Sequence, residues 1–342
     1  MGEKLITFTV PCYNSQDYME RCIHTLLAGG SDVEIILVDD GSTDDTGKIA
    51  DRYAEKYPEI VKAVHQENSG HGAGINAGLA LAEGIYFKVV DSDDWVDRTA
   101  LRKLLHRIAK WQDEKRRVDL IICNYVYDHL YEGKQKPMRF CNVFPEKKIY
   151  TWDDIGHFHP SQYLVMHAQI CRTDMLRRSG VRLPHHTFYV DNIFANQPLP
   201  FVRSIAYLNL DLYHYFLGRK DQSVNERVLM GRIDQQIRVT KIVSGCVNLK
   251  KVKKEHPKLA DYLVRNLSIM MAISSIHLLM VDTPEALEKR RLLWQYIYVR
   301  GRGLYRKLRF GTVSGLTYLP GKAGAWLTLA GYRAARHLYH FN

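Results

Sequence analysis

Asp91, Asp93 and Asp94 directly follow an apolar, strand-like segment in the sequence FKVVDSDDWVD, residues 87–97. A helix cap at Asp94 or Asp97 explains one acid and leaves the others unexplained. Asp91 and Asp93 are spaced so that both can share a hard cation such as Mg²⁺ or Mn²⁺, with positions left for phosphate oxygens. The ion would remove their repulsion and suit chemistry in which a diphosphate leaves. An EF-hand is excluded, because the required glycine and distal glutamate are missing.

A glycine-rich segment offers a competing interpretation. Gly72, Gly74 and Ala77 match the dinucleotide fingerprint, with Asp91 about 20 residues further on. This alternative predicts an NAD(P)-dependent oxidoreductase. It ranks second because the fingerprint normally opens the first βαβ unit, whereas two strands precede it here. It also gives the segment VDDGSTDDT no role.

Residues 1–130 supply the elements that must position these groups. Strand-like and helical patterns alternate, which predicts an α/β fold with a mostly parallel sheet. Ligands of such sheets gather at the carboxyl ends of the strands, where PCYNS, DDGSTDD and DSDDW lie. The predicted strands are Leu5–Val10, Glu34–Val38, Val61–His65, Ile85–Val90 and Val118–Val126, and the predicted helices are Tyr18–Leu27, Thr43–Tyr57, Ile75–Ala82 and Thr99–Trp111.

The predicted secondary-structure pattern changes twice in the rest of the chain. Residues 131–220 are irregular, and the pattern turns helical from about residue 225. The most apolar piece, Leu263–Val281, is interrupted by polar residues and is predicted to be a buried core helix rather than a membrane span. The six cysteines show no CxxC pair, and the N-terminal segment does not resemble a signal peptide, so we expect reduced thiols and a cytoplasmic location.

The formal net charge of +11 lies entirely in the C-terminal tail, because residues 289–342 hold 11 Lys or Arg and no acid. Arginines alternate there with aromatic and aliphatic residues near glycine and proline. This composition is typical of segments that lie on an anionic bilayer, although a merely solvated tail fits equally well. No nucleic-acid-binding motif accompanies the charge, so no nucleic-acid partner is expected.

Four quoted segments together resemble the inverting family 2 glycosyltransferases of GT-A fold: FTVPCYNSQDYMERCIHTLL, EIILVDDGSTDDTGKIA, QENSGHGAGINAGLALAEGIYFKVVDSDDW and YVDNIFANQPL. The resemblance covers roughly residues 4–225. It implies a GT-A domain over residues 1–225, with a nucleotide-binding half (1–130) and an acceptor-binding half (131–225). Residues 226–342 then form a helical C-terminal region that carries the basic tail.

The resemblance also implies roles for individual residues of the donor site. Asp91 and Asp93 would be the DxD motif, with Asp93 the first choice as metal ligand and Asp94 its substitute. The metal would be Mn²⁺ or Mg²⁺. Tyr13 would stack on the base and Asp40 would accept a hydrogen bond from uracil. The remaining predicted donor contacts are Pro11, Asn14, Asn68 and Gly72, together with Arg219 and Ser223 for the diphosphate.

The base of the reaction is expected to be Asp191, because a positioned carboxylate suits removal of a proton from an acceptor hydroxyl. Family members commonly carry Glu-Asp at this place, whereas this chain has Val190 before Asp191. His185 and His186 lie close in sequence, in what is either a polar loop or part of the donor or acceptor site.

The sequence therefore predicts a metal-dependent transferase that moves a hexose or N-acetylhexosamine from a UDP-sugar to an acceptor hydroxyl with inversion. The expected acceptor is a cell-envelope or exported polysaccharide or a lipid-linked glycan, at the inner face of the cell membrane. The alternatives are the NAD(P) oxidoreductase and a non-catalytic protein that binds membranes or polyanions.

Overall fold

The computed structural model describes residues 3–129, 131–146, 148–160, 162–218 and 226–339. The chain divides into two compact units, residues 1–218 and residues 219–342, whereas the sequence placed the division after residue 225. All six cysteines are free thiols.

The first unit is built on a mixed ten-stranded sheet, which confirms the predicted α/β class. The strand order is β3-β2-β1-β4-β9-β6-β10-β5, with β7 paired to β6 and β8 paired to β10. Strands β1 to β4 run parallel to one another, and β9 enters antiparallel between β4 and β6. The strands are β1 Ile6–Cys12, β2 Val33–Asp39, β3 Val61–His65, β4 Tyr86–Val89, β5 Trp95–Val96, β6 Leu120–His129, β7 Lys134–Met138, β8 Ile149–Tyr150, β9 Gln169–Arg172 and β10 Ile205–Leu217.

In the described part of this unit six α-helices accompany the sheet, and all four predicted ones are among them. Helix α3 begins at His71 rather than at Ile75, because its glycines allow the helix to pack closely on β1. A Cβ on Gly74 would lie 3.1 Å from Pro11, and one on Gly78 would lie 2.2 Å from Thr9. The helices are α1 Met19–Leu26, α2 Thr46–Lys56, α3 His71–Leu81, α4 Arg98–Asp113, α5 Thr173–Arg178 and α6 Asp191–Asn196.

The second unit is helical in its described residues, 226–339. Its longest helix, α10, contains the predicted core segment and is the one described helix that is long and apolar enough to cross a membrane. Its most apolar stretch is 67% buried inside the protein, as in a core helix. The helices are α7 Glu226–Gly231, α8 Ile233–Val243, α9 Leu249–Glu255, α10 Pro257–Val281, α11 Pro284–Arg300, α12 Arg302–Gly311, α13 Val313–Leu316 and α14 Gly321–Tyr339.

Candidate active site

The parallel strands β1 to β4 end at one edge of the sheet, and the polar segments of the sequence lie at that edge. Tyr13 and Asn14 follow β1, Asp40 follows β2, and Asp91 follows β4. Helix α3 starts beside them at His71. The sheet therefore brings together residues from segments that are far apart in the chain.

The aspartate-rich turn after β4 divides its acids between two tasks. Asp94 is buried, and its carboxylate accepts hydrogen bonds from the Tyr213 hydroxyl and, at 2.8 Å, from the Phe216 backbone N–H. Burial, reinforced by the charges of Asp93 and Asp91, raises the pKa of Asp94 well above its usual value. Asp94 thus fastens the turn to β10, a role that its place in the sequence does not reveal.

Asp91 is paired with His71, a residue that the sequence analysis did not single out. The two side chains meet at 2.9 Å between Nε2 and Oδ1. Burial alone would raise the pKa of Asp91, but the charge and hydrogen bond of His71 outweigh it and lower that pKa to about 2. Burial alone would lower the pKa of His71, but the charge and hydrogen bond of Asp91 outweigh burial, and the pKa of His71 is raised. Asp91 is therefore an ionised carboxylate at the strand end.

A second missed histidine, His167, lies on the other side of this carboxylate. Ligand atoms of Asp91, Asp94 and His167 lie within 4.8 Å of one another, a group that does not include the predicted ligand Asp93. His167 Nδ1 is buried and has no hydrogen-bond partner among the described residues. Burial lowers the pKa of His167 to about 4, so its imidazole is neutral and free to coordinate.

These donors fit a divalent cation. An ionised carboxylate and an unpartnered neutral imidazole are ligands that Mn²⁺ accepts. Asp94 is a weaker candidate ligand, because both of its carboxylate oxygens already accept hydrogen bonds. The residues that would hold the ion are therefore Asp91 and His167, with Asp93 retained as a prediction from the family motif.

Asp191, the predicted base, is the first residue of α6 and is half-buried. Burial raises its pKa from 3.8 to about 6, with the nearby charge of His71 lowering it and that of Asp91 raising it. Val190, in the place of the family's usual acid, is buried, and its Cγ2 lies 3.4 Å from where a Cβ on Gly72 would be. The missing acid is thus replaced by a core contact, and burial is the largest cause of the raised pKa of Asp191.

Asp40 organises the loop that follows β3. Its carboxylate is buried and accepts hydrogen bonds from the Gln66 side chain (2.6 Å) and from the backbone N–H groups of Ser69 (2.9 Å) and Gly70 (2.7 Å). The Asn68 amide donates to the Asp40 carbonyl at 3.0 Å. These bonds hold the predicted nucleotide loop against β2, while contact of Asp40 with uracil stays a prediction.

The loop after β1 leaves its aromatic side chain open to solvent. Tyr13 is 52% exposed, so its ring is available to a planar ligand. Asn14 adopts a positive φ of 47°, and its side-chain oxygen accepts the Thr43 N–H at 2.9 Å. Pro11 packs against Gly74. The predicted donor residues of this loop are thus grouped at the edge of the sheet.

The glycine fingerprint has a packing explanation. A Cβ on Gly72 would lie 2.9 Å from the Leu183 Cβ and 3.0 Å from the Pro184 carbonyl oxygen, and Gly74 faces Pro11. His186 also joins this packing, since its backbone N–H donates to the Ser69 carbonyl at 2.8 Å. Small residues are therefore needed here for contacts within the protein, which removes the main support for the dinucleotide interpretation. The remaining predicted diphosphate contacts, Arg219 and Ser223, lie outside the described residues.

Comparison with known proteins shows which class of protein this chain is similar to. Residues 7–169 match the family model "Glycosyl transferase family 2". The putative glycosyltransferase EpsH of Bacillus subtilis is 29% identical over 224 residues, covering 63% of this chain and 61% of EpsH. Glycosyltransferase GlyG of Streptococcus pneumoniae is 38% identical over 36% of this chain and 39% of GlyG. The chain thus matches less than two thirds of the length of these curated relatives.

Solved structures support the same fold. S. aureus TarS aligns with a TM-score of 0.56 at 20% identity, covering 89% of this chain and 54% of TarS. TarS 1–349 in complex with UDP-GlcNAc aligns with a TM-score of 0.53, also at 20% identity, covering 90% of this chain and 92% of that one. Residues 7–169 thus match a family 2 glycosyltransferase domain, and the structural relatives support the GT-A fold that the sequence resemblance implied.

Proposed function

We propose that this protein transfers a hexose or N-acetylhexosamine from a UDP-sugar to an acceptor hydroxyl with inversion of configuration. The observation that carries the proposal is the cluster at the carboxyl edge of the sheet. A carboxylate with a raised pKa, Asp191, and an ionised carboxylate, Asp91, both lie within the electrostatic reach of one histidine, His71. Because the pKa values of the two carboxylates differ, they can divide the work: Asp191 accepts a proton and the ionised Asp91 binds a cation.

In this proposal Asp191 is the general base. Its pKa of about 6 leaves it ionised at neutral pH and closer in basicity to the hydroxyl it serves than an ordinary aspartate. The acceptor oxygen attacks the anomeric carbon from the face opposite the diphosphate, and its proton passes to the Asp191 carboxylate. A single displacement of this kind inverts the anomeric configuration.

The donor would lie along the loops after β1, β2 and β3. Tyr13 provides an exposed ring for the base, and the Asp40-anchored loop brings backbone groups close to the nucleotide. Asp91 and His167 would hold Mn²⁺ or Mg²⁺, which, when bound, neutralises the charge of the leaving diphosphate. The complex of the structural relative TarS 1–349 with UDP-GlcNAc is the reason to prefer uridine nucleotides.

The acceptor is proposed from the relatives, and it is proposed as a chemical class. The Bacillus spizizenii poly(ribitol-phosphate) beta-glucosyltransferase is 39% identical over 28% of this chain and 16% of its own length. A hydroxyl of an envelope or exported polymer, or of a lipid-linked glycan, is the acceptor class that fits. We place the reaction in the cytoplasm, at the inner face of the membrane.

Nucleoside diphosphate release from a panel of UDP-sugars and GDP-mannose tests this function. The panel is mixed with the full chain, Mn²⁺ and a mixture of envelope glycans as acceptors. We expect UDP release from at least one UDP-sugar, inverted product by proton NMR, and turnover about 10²- to 10⁴-fold lower for Asp191→Asn. Turnover with GDP-mannose alone, retained configuration, or equal turnover by Asp191→Asn would contradict the proposal.

A further inference from the structure

Five large apolar side chains of the second unit are exposed to solvent near its C-terminal end. Phe310 is 77% exposed, Trp326 67%, Leu316 65%, Leu327 54% and Val313 53%. Scattered exposed apolar residues are ordinary, but a group of this size in neighbouring elements marks an interaction surface.

The elements that carry these side chains are connected by hydrogen bonds. The Thr312 hydroxyl donates to the Leu308 carbonyl at 2.9 Å and so ties the start of α13 to α12. The Thr328 hydroxyl of α14 donates to the Leu316 carbonyl at 3.2 Å. The backbone at Leu316 therefore lies against α14 at Thr328, the residue after Leu327. We call the exposed side of these three helices the α12–α14 face.

The spacing along α14 is that of an interfacial helix. Trp326 and Leu327 are exposed three and four residues after the exposed Ala323, and the exposed Ala334 follows seven residues after Leu327, while Thr328 on the opposite side is buried. Lys322 and Arg333 stand four residues before and seven residues after Trp326 and are exposed on the same side of the helix.

The charge of the face is positive and uncompensated. Some cations of the tail pair with acids, such as Lys307 with Asp261. Other exposed cations form no ion pair among the described residues, and they flank the apolar group: Arg302, Arg306, Lys322 and Arg333. Because no acid occurs between residues 289 and 342, a second copy of this chain would bring the same charge to the interface and be repelled.

We propose that the α12–α14 face binds an anionic bilayer surface. The aromatic and aliphatic side chains would enter the boundary between headgroups and acyl chains, and the arginines and Lys322 would lie on lipid phosphates. Aliphatic residues such as Val313, Leu316 and Leu327 suit acyl chains. The contact is peripheral, since α10 is mostly occupied in the protein core.

The test is flotation of the full chain with vesicles of phosphatidylcholine alone or of equal parts phosphatidylcholine and phosphatidylglycerol. We expect binding to the anionic vesicles only, weakened by salt. Trp326→Ser with Leu327→Ser should lower vesicle affinity about tenfold or more, because the inserted side chains are lost. The matched control removes two comparably exposed apolar residues of the first unit, Leu81→Ser with Phe201→Ser, and should bind like wild type.

Charge is tested separately. Replacing three exposed arginines by glutamine should weaken binding about fivefold per charge, since each basic side chain near an anionic surface contributes about 1 kcal/mol. Replacing three exposed cations of α4 changes the net charge equally and should leave binding unchanged. The tested set is Arg302, Arg306 and Arg333, and the control set is Arg102, Lys103 and Arg107.

Tryptophan fluorescence reports the insertion directly. Trp326 is 67% exposed, whereas Trp111, Trp152 and Trp294 are buried. Anionic vesicles should shift the emission to the blue and protect it from acrylamide, and Trp326→Phe should bind while losing most of the change. Equal binding to neutral vesicles, equal binding by the serine variant, or a dimer that the serine variant dissociates without any flotation would overturn the proposal.

This inference does not depend on the proposed reaction. Asp191→Asn should float like wild type, and the serine variant should release UDP from a soluble acceptor reaction at the wild-type rate. A failure of vesicle binding therefore leaves the transferase proposal intact, and a failure of UDP release leaves the membrane surface intact.

Discussion

Replacing Asp191 by asparagine should abolish turnover and at the same time stabilise the fold. Burial raises the pKa of Asp191 from 3.8 to about 6, so the folded protein holds the charged form at a cost. A shift of about two pH units corresponds to at most about 3 kcal/mol. Asparagine keeps the shape and an acceptor oxygen but carries no charge, so it removes that cost.

The sign of the effect depends on pH in a defined way. The folded state binds the Asp191 proton more tightly than the unfolded state, because the pKa is raised on folding. Wild-type stability therefore falls as pH rises between about 4 and about 6, and the full cost remains above that range. The stability advantage of Asp191→Asn should be near zero at pH about 4 and reach its maximum above pH about 6.

Thermal unfolding between pH 4 and pH 8, in EDTA and without nucleotide, measures this advantage. About 3 kcal/mol is an upper bound and corresponds to a rise in Tm of at most about 10 °C for a unit of this size. Turnover should fall about 10²- to 10⁴-fold, as expected when a general base is removed. Below pH about 6, kcat/KM of the wild type should drop about tenfold per pH unit, because Asp191 becomes protonated.

An exposed aspartate of the same unit provides the control. Asp32→Asn should keep wild-type turnover and change Tm little at any pH. Loss of stability in Asp191→Asn at pH 8 would show that the carboxylate is a structural partner rather than a strained base. Turnover above a tenth of wild type would refute its catalytic role.

Three substitutions test the parts that support the site. Asp40→Asn should lower the free energy of unfolding by about 1–3 kcal/mol and weaken UDP binding, since the Asp40 carboxylate anchors the nucleotide loop. Urea unfolding measures the stability and calorimetry measures UDP binding. Tyr213→Phe should cost about 1–3 kcal/mol in urea unfolding, because it removes a donor from the buried Asp94 carboxylate. Gly72→Ala should cost about 1–3 kcal/mol by overpacking, whereas Gly231→Ala, whose Cβ would contact nothing, should not destabilise. An unchanged midpoint in any of the first three would contradict the contact assigned to it.

The sequence predicted the framework of the first unit because its strands and helices are local patterns. Short β-branched runs indicated β1 to β4, and the parallel order then required their polar ends to meet at one edge of the sheet. Placing Asp91 and Tyr13 at that edge needed no knowledge of long-range contacts.

The parts that escaped prediction depend on long-range contacts or on irregular segments. Asp94 meets Tyr213, 119 residues away, so its structural role has no local signal. His167 lies in an irregular segment whose spacing carries no periodicity. His71 could have been found: it lies in the loop between a predicted strand and the predicted helix Ile75–Ala82, beside glycines that require close packing.

Binding of UDP with and without Mn²⁺ tests the central claim most directly. A ligand present at 100 times its dissociation constant should stabilise the fold by about 2.7 kcal/mol, which thermal unfolding detects readily. The proposed site predicts stabilisation by UDP only when Mn²⁺ is present, with GDP, CDP, TDP and NAD(P) weaker, and loss of the Mn²⁺ effect in His167→Ala. A response to NAD(P) without metal, or to no nucleotide at all, would contradict the claim that this edge of the sheet binds a sugar nucleotide.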